Sequence, residues 1–247
     1  MKDHYTVQME GVVLGMNLNN VCDIRYEFMD RWLNKRIDNN MISIIGASFI
    51  ADKPSIFGTP NEAYIQAEIE WYESRSLYVQ ELFRIYGKEV KIWDEVATVD
   101  GKINSNYGWM IYDHKNGNQY KNALKKLCQE PRSRQATMIY QRPSMHKDWN
   151  HGGMMDFTCT NAVTYYLNGN MLDVVVQMRS NDAVFGYNND FAWQKHVWIN
   201  LREDINYIRE HIGMPKVYLG KMHWQVQNLH VYGRHFDLIE KYYEENK

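Results

Sequence analysis

The stretch "FTCTNAVTYYLNGNMLDVVVQMRS", residues 157–180, contains two β-rich runs joined by the tripeptide "NGN". β-Branched and aromatic residues favour strands, and an Asn-Gly pair suits the tight turn of a β-hairpin. The stretch therefore predicts two antiparallel neighbouring strands. It places Cys159 near the start of the first strand and Arg179 at the end of the second.

Outside this hairpin, β-rich runs and helical patterns alternate along the chain. Apolar residues at helical spacing predict helices at residues 21–32, 61–83, 118–130, 193–212 and 236–245. Further strands are predicted at 41–50, at 135–143 and, as one or two strands, at 216–232. The pattern carries no Rossmann signature and indicates an α/β (α+β) fold, with residues 1–247 as a single domain.

Composition excludes several classes of protein. The 247 residues are 45% hydrophobic and carry 28 basic against 30 acidic side chains, so a broad nucleic-acid surface is not expected. The first 20 residues lack the apolar segment of a signal peptide, and no run reaches transmembrane length. Three cysteines at irregular spacing favour a reducing compartment without disulfides. These features predict a cytoplasmic protein that does not bind a membrane.

The common catalytic and metal-binding motifs are missing from the sequence. It contains no P-loop, no G-x-G-x-x-G, no H-E-x-x-H, no nucleophile elbow and no paired C-x-x-C. His230 and His235 are five residues apart in a strand-and-turn segment, which is poor geometry for a metal. We therefore expect hydrogen-bonded histidines and no metal cofactor.

Two features of the second half are candidates for a functional site, and each has a structural alternative. Cys159 is either a nucleophile or a small residue buried in a strand. Polar residues 179–182 follow the second hairpin strand, where a binding site is often built. The "NND" at residues 188–190 either belongs to that site or caps the following helix.

Several blocks of sequence resemble the thymidylate synthase superfamily. They are "EIEWY", "IWDEVA", "INSNYGW", "DFTCTNAV", "MRSNDAVFG" and "LHVYGRH". The longer strings "IIGASF", "MIYQRPSM" and "MRSNDAVFGYNNDFAWQK" are similar to its deoxycytidylate hydroxymethylase branch, known from T-even phages. The resemblance runs from about Arg36 to Phe236. It implies a large, mostly antiparallel twisted sheet with flanking helices, and a homodimer formed through that sheet.

The resemblance also implies a reaction. A cysteine thiolate adds to carbon 6 of a pyrimidine, so that carbon 5 can attack the methylene group of 5,10-methylenetetrahydrofolate. A thymidylate synthase then quenches the exocyclic methylene with hydride from the folate, whereas a hydroxymethylase uses water. The matching nucleophile is Cys159, and Arg179 would favour its thiolate form.

The proton-transfer and folate-binding positions of the family fall on five residues. Glu68, in "EIEW", matches the catalytic glutamate; Glu70 is the alternative, but two residues along a helix it points to another face. Tyr107 matches the tyrosine that assists proton removal from carbon 5. The folate-side positions match Trp93, Asp182 and Gly186.

The nucleotide-binding positions of the family are matched less completely. The expected contacts to phosphate and sugar within one chain are Arg179, Ser180, His230 and Tyr232. Arg36 matches a further position by spacing alone. Arg134 matches an arginine that reaches the phosphate of the other subunit across the dimer interface. The second arginine of that interface pair is replaced by Gln135. Arg132 is the residue that would have to compensate.

Asp190 stands where thymidylate synthases place an asparagine that reads uracil. A carboxyl group suits the amino group and ring nitrogen of cytosine, so the resemblance favours dCMP as substrate. A register slip to Asn189 would restore uracil. Thymidylate synthase activity and dUMP or CMP hydroxymethylation are the alternatives on the same fold. A non-catalytic scaffold that assembles with other nucleotide-synthesising enzymes is the alternative of another class.

Overall fold

The computed structural model describes residues 19–247. The helices are α1 (Val21–Leu33), α2 (Glu62–Ser74), α3 (Val79–Tyr86), α4 (Lys91–Val96), α5 (Tyr107–Tyr112), α6 (Gln119–Gln129), α7 (Met145–Asp148), α8 (Gly186–His211) and α9 (Phe236–Glu245). The strands are β1 (Met41–Ile50), β2 (Thr137–Ile139), β3 (Thr160–Asn168), β4 (Met171–Asp182) and β5 (Tyr218–Tyr232). The expected lack of a leader segment concerns mainly residues 1–18, which lie outside the described range.

The five strands form one sheet in the order β1-β5-β4-β3-β2. Three of the neighbouring pairs are antiparallel, and β4 with β5 is parallel. The mostly antiparallel sheet predicted from the sequence is therefore confirmed. Because β4 and β5 run side by side in the same direction, their carboxyl ends place Asp182 beside His230 at one edge of the sheet.

The hairpin predicted for residues 157–180 is confirmed. β3 pairs with β4 from Thr160 opposite Met178 to Asn168 opposite Met171, with Gly169 in the turn at a φ of +63°. The pairing is irregular between Thr160 and Ala162. Cys159 therefore lies immediately before β3, as expected.

The helix predicted for residues 61–83 is wrong in one respect, because it is broken in the middle. Its start is as predicted, since the Asn61 side chain accepts a hydrogen bond from the Tyr64 amide at 3.2 Å. Arg75 then adopts left-handed backbone angles, φ 61° and ψ 15°, which end α2. A new helix, α3, begins at Val79.

The long helix predicted from Trp193 begins about two turns earlier than its apolar stripe, at Gly186. Residues 188–190 lie inside α8, so the interpretation of "NND" as a helix cap is wrong. The turn before the helix is closed instead by Asp182, whose Oδ1 accepts from the Val184 amide at 2.9 Å. Strand β2 is also shorter than the predicted 135–143.

One hydrophobic core holds these elements together. Its fully buried large side chains include Trp71, Trp193 and Trp224, from α2, α8 and β5 respectively. Helix α8 packs against β4 and β5 and contacts α2 and α6, while α1 contacts β1 and α9. Of the helices between residues 19 and 247, none is long and apolar enough to cross a membrane.

Gly108 allows α5 to approach α2 closely. A Cβ at Gly108 would lie 1.8 Å from the carbonyl oxygen of Tyr72, closer than any two such atoms can stand. The obstacle is backbone, so a side-chain rotation cannot relieve it. The close approach also positions Tyr107, the first residue of α5.

We expect Gly108→Ala to lower the free energy of unfolding by roughly 3 kcal/mol, because α2 and α5 must separate. Gly117→Ala is the matched control. Gly117 has a φ of +76° and no heavy atom within 4 Å of the added Cβ, so only backbone strain of about 1 kcal/mol applies. Urea unfolding of both variants measures the difference, and equal losses would contradict the close-approach argument.

Candidate active site

Cys159 lies next to Arg179 at the open end of the β3–β4 hairpin. The Arg179 amide donates to the Cys159 carbonyl at 2.9 Å, and the Arg179 Nη2 is 3.9 Å from the Cys159 Sγ. The cysteine side chain is partly buried, and all three cysteines are free. The hairpin therefore brings a thiol and a guanidinium together across one strand pair.

The Cys159 thiol is protonated in the unliganded protein near neutral pH. Burial, helped by the negative charges of Asp190 and Asp156, raises its pKa to about 12. The charge of Arg179 lowers the pKa, which is the direction expected from the sequence, but burial outweighs it. Removing the charge of Asp190, by protonation, would make the thiolate easier to form.

Arg179 is fixed by backbone groups and keeps donors free. Its Nε donates to the Thr158 carbonyl at 2.9 Å, and its Nη2 donates to the Phe157 carbonyl. The guanidinium also lies 5.0 Å from the centre of the Phe157 ring. Nη1 has no acceptor within residues 19–247, so it can bind an anion.

Tyr107 packs between α2 and the start of β3, where Cys159 lies. Its hydroxyl accepts from Thr160 Oγ1 at 3.0 Å, and its ring stacks on Tyr72 with the centroids 5.2 Å apart. Burial, with the charges of Asp190 and Cys159, raises the pKa of Tyr107 well above its usual value. The phenol therefore stays protonated and can donate a hydrogen bond into the site.

Glu68 is 5% exposed, and its carboxyl group accepts the last hydrogen bond of a two-bond chain. Trp93 Nε1 donates to the Tyr64 hydroxyl at 2.8 Å, and that hydroxyl donates to Glu68 Oε1 at 2.7 Å. Burial raises the pKa of Glu68 to about 7, while the hydrogen bonds oppose the shift. A carboxyl group with this pKa can both accept and donate a proton near neutrality.

Glu70, the alternative to Glu68, is exposed on another face of α2. Its position agrees with the choice of Glu68 made from the sequence. The catalytic role itself stays a prediction.

Asp190 faces the same cluster from the second turn of α8. Asn181 Nδ2 donates to Asp190 Oδ2 at 2.8 Å. Burial and the charge of Glu68 raise the pKa of Asp190 to about 8, so the carboxyl group is mainly neutral at pH 7. Asn189, its neighbour in the helix, makes no side-chain hydrogen bond within residues 19–247.

The ends of β4 and β5 complete this side of the site. Gly186 lies close behind them, since a Cβ there would be 3.2 Å from Asn181 Nδ2 and 3.4 Å from Asp182 Cβ. The His230 and Tyr232 rings are 4.8 Å apart. Burial, with the charges of Asp182 and Cys159, raises the pKa of Tyr232. Ser180 lies between Arg179 and this edge.

Two predicted arginines do not lie with this cluster in the single chain. Arg36 is exposed and pairs with Asp30 of α1, with Nη1 and Oδ2 3.8 Å apart. Arg134 is exposed between α6 and β2, as are Arg132 and Gln135. A role for Arg134 therefore requires a second copy of the chain.

Three polar residues of the site were given no individual role from the sequence. Tyr64 was interpreted as part of an apolar stripe, although its position four residues before Glu68 could have indicated the contact. Asn181 was included only in the polar run at residues 179–182, and Asp156 gave no signal because its partners are distant in sequence. Within the described part of the chain, no three His, Cys, Asp or Glu side chains are grouped to hold a metal ion.

Comparisons with known proteins relate the chain to one family. A family model described as thymidylate synthase matches residues 61–247. The chain is 49% identical to deoxycytidylate 5-hydroxymethyltransferases of Enterobacteria phages T6 and T4, with 82% of this chain and 80% of each relative aligned. It is 25% identical to a thymidylate synthase of Bacillus licheniformis, over 95% of this chain and 81% of the relative.

We expect Tyr64→Phe to raise the pKa of Glu68 above about 7, because it removes a hydrogen bond that stabilises the carboxylate. The shift should amount to several tenths of a pH unit up to about one pH unit. Carbon NMR of labelled glutamate, followed against pH, measures it.

Tyr86→Phe is the matched control for this substitution. Tyr86 packs edge-on against Tyr64, with centroids 5.2 Å apart, but its hydroxyl bonds to Asn61 instead of Glu68. The control should leave the Glu68 titration in place. An unchanged titration in Tyr64→Phe would show that the hydrogen bond does not tune this carboxyl group.

Proposed function

The chain belongs to the thymidylate synthase family, and on that premise we propose that it is a deoxycytidylate 5-hydroxymethyltransferase. The resemblance inferred from the sequence blocks is confirmed by the family model and by the 49% identity to the phage relatives. The reaction converts dCMP, 5,10-methylenetetrahydrofolate and water into 5-hydroxymethyl-dCMP and tetrahydrofolate.

The observation that carries the proposal is the placement of Asp190 in one cluster with Cys159 and Tyr107. The charge of Asp190 is close enough to raise the pKa of both the thiol and the phenol. The cluster thus contains both a nucleophile for carbon 6 and a carboxyl group suited to cytosine. An asparagine at position 190 would instead favour uracil.

Cys159 is the proposed nucleophile. Its thiolate adds to carbon 6 of cytosine, and the electron pair of the carbon 5–carbon 6 double bond moves so that carbon 5 becomes nucleophilic. The high pKa of the free thiol means that this step needs Arg179 and a neutral Asp190 to stabilise the anion. Tyr107 is proposed to assist removal of the proton from carbon 5.

Asp190 is proposed to read the base. Cytosine presents an amino donor beside ring nitrogen 3, which is an acceptor until it is protonated. A neutral carboxyl group accepts from the amine with one oxygen and donates to nitrogen 3 with the other. The pKa of about 8 supports the neutral form in the free protein.

Glu68 is proposed to move protons between water, base and folate. Its pKa of about 7 lies near the ambient pH, where general acid and general base catalysis are both efficient. In the last step, water adds to the methylene carbon on the base; the electron pair of the exocyclic double bond restores the carbon 5–carbon 6 double bond and expels the Cys159 thiolate from carbon 6. Glu68 is the buried carboxyl group suited to orient that water and accept its proton.

5,10-Methylenetetrahydrofolate, the proposed co-substrate, supplies one carbon at the oxidation level of formaldehyde. The chain has groups suited to its flat ring system. Trp93 is partly exposed and offers an aromatic face, and Asp182 keeps Oδ2 available to accept from ring N–H groups. Gly186 holds the helix start close to Asp182 without a side chain in between.

We assign the binding of phosphate and sugar to residues at the carboxyl ends of β4 and β5. Arg179, through Nη1, and Ser180 would bind the phosphate, and His230 with Tyr232 would bind the 3′-hydroxyl. Arg36 would have to leave Asp30 to reach the nucleotide, and the long 3.8 Å separation indicates a weak pair.

We also propose that the enzyme is a homodimer formed through the sheet. The second copy would cover Ile45 of β1, which is 72% exposed in the single chain. In a dimer, Arg134 of the partner chain would add a positive charge to the phosphate site.

The proposed location is the host cytoplasm, because the relatives are phage proteins. The continuous hydrophobic core from Val21 to Ile239 supports one catalytic domain.

We expect the purified protein to convert dCMP and methylenetetrahydrofolate into a product heavier by one CH₂O group, with tetrahydrofolate released unoxidised. Mass spectrometry of the nucleotide and absorbance of the folate measure the two products. A methyl product with dihydrofolate would contradict the proposal and support thymidylate synthase activity. No turnover with dCMP, CMP or dUMP would support a non-catalytic scaffold.

Cys159→Ser should lower turnover on the order of a thousandfold or more, because a serine hydroxyl is a far weaker nucleophile than a thiolate. Nucleotide binding should persist, since Arg179 and Asp190 are unchanged. Cys128→Ser is the matched control, because Cys128 lies on α6 and is not one of the proposed site residues. Equal turnover of the two variants would exclude Cys159 as nucleophile.

Asp190→Asn should shift the ratio of kcat/KM for dCMP to kcat/KM for dUMP toward dUMP by roughly a hundredfold or more, because an amide can complement uracil. Steady-state kinetics with both nucleotides measure the ratio. An unchanged ratio would mean that another residue reads the base.

A further inference from the structure

Asn181 is held between Asp190 and a buried indole. Its side chain is 2% exposed, in β4 between Ser180 and Asp182. Its Nδ2 donates to Asp190 Oδ2 at 2.8 Å, and its Oδ1 accepts from Trp224 Nε1 at 3.2 Å. Trp224 is fully buried in β5. Both ends of the amide are therefore engaged.

The indole determines which way the amide faces. An indole N–H is only a donor, so it must meet the amide oxygen. If the amide turned over, its NH₂ group would oppose the Trp224 N–H, and a buried donor would lose its acceptor. Trp224 thus fixes Asn181 with its nitrogen toward Asp190. Gly186 leaves the room for this amide, since a Cβ there would lie 3.2 Å from Nδ2.

A neutral carboxyl group alone does not distinguish cytosine from uracil. With the proton on one oxygen it pairs with the amine and nitrogen 3 of cytosine. With the proton on the other oxygen it pairs with the carbonyl and N–H of uracil. Since Asp190 is mainly neutral at pH 7, something else must decide which oxygen carries the proton.

We propose that Asn181, oriented by Trp224, is the positioning residue that gives Asp190 its preference for cytosine. The Asn181 N–H makes Oδ2 of Asp190 the accepting oxygen and leaves the proton on Oδ1. Oδ2 then accepts from the cytosine amine, and Oδ1 donates to nitrogen 3. Uracil would require the proton on Oδ2, where the hydroxyl oxygen is a poor acceptor for Asn181. This inference rests on the proposed function, because it assigns a role within the same base-reading site.

The groups around Asp190 agree with this assignment. Glu68 from α2, Tyr107 from α5 and Asp182 from β4 influence its protonation, and the charge of Asp190 in turn raises the pKa of Cys159. Tyr107 lowers the pKa of Asp190, whereas Glu68 and Asp182 raise it. Asn181, which donates to Asp190, is locked into a single donor orientation by its second buried partner, Trp224. Asn181 can therefore make the two oxygens of Asp190 unequal.

Two single substitutions test the inference. Asn181→Leu keeps the approximate volume and removes the donor, and Trp224→Phe keeps Asn181 but releases its amide to turn over. Dissociation constants for dCMP and dUMP are measured by calorimetry without folate, and kcat/KM is measured with folate. Both variants should reduce the preference for dCMP over dUMP, by roughly tenfold in Asn181→Leu and several-fold in Trp224→Phe.

A double substitution sharpens the test. In Asp190→Asn, the new amide must present its nitrogen to the uracil carbonyl, and the Asn181 N–H opposes that orientation. Adding Asn181→Leu should therefore raise kcat/KM for dUMP roughly tenfold above Asp190→Asn alone. A purely structural role for Asn181 would lower activity on both nucleotides in both backgrounds.

Asn206→Ala is the control for general destabilisation. Asn206 bonds to the Val217 backbone at 2.9 and 2.7 Å, outside the nucleotide site, and its loss should leave the nucleotide preference unchanged. If folded Asn181→Leu retains the wild-type preference, the inference is wrong. If that variant does not fold, Trp224→Phe decides: an unchanged preference in it overturns the inference.

Failure of the inference and failure of the proposed function have different signatures. A wild-type protein that binds dUMP more tightly than dCMP, or makes no hydroxymethyl product, contradicts the function and the inference together. A wild-type protein that prefers dCMP and makes the product, with variants that keep the preference, contradicts the inference alone.

Discussion

The site depends on the buried carboxylate of Asp156, which joins two segments about fifty residues apart. Asp156 Oδ2 accepts from the amides of Asn104 and Ser105 at 2.8 and 2.6 Å, and Oδ1 accepts from Ser105 Oγ at 2.6 Å. The Asn104 side chain donates back to the Asp156 carbonyl at 3.0 Å. These bonds fix the chain just before Cys159 to the chain just before Tyr107. The hydrogen bond from Thr160 to the Tyr107 hydroxyl adds a further link between the same two segments.

Local chemistry explains how much of the fold could be predicted from the sequence. The β3–β4 hairpin was predicted because the "NGN" turn and the β-rich runs act over a few residues. The break after α2 was not predicted, because it depends on a left-handed Arg75, and arginine carries no signal for that conformation. The start of α8 was placed too late because its first two turns contain Gly186 and the polar run at residues 188–190, which interrupt the apolar stripe.

The same distinction applies to the candidate site. The resemblance supplied residues such as Cys159 and Glu68 by type and spacing, and the fold places them with Tyr107 and Asp190. It did not supply Tyr64 or Asn181, which act through other side chains. Asn181 and Trp224 are 43 residues apart, so no periodic pattern connects them. Arg134 could be located only as an exposed residue, because its proposed partner is on another chain.

The two buried acids of the site, Glu68 and Asp190, also allow it to bind and release protons near neutral pH. Glu68 and Asp190 have pKa values of about 7 and 8, so both titrate within the physiological range. A nucleotide dianion that binds nearby adds negative charge and raises the proton affinity of such groups. The protein would then take up hydrogen ions from the medium as it binds its ligand. The heat of binding would consequently include the ionisation enthalpy of whichever buffer supplies them.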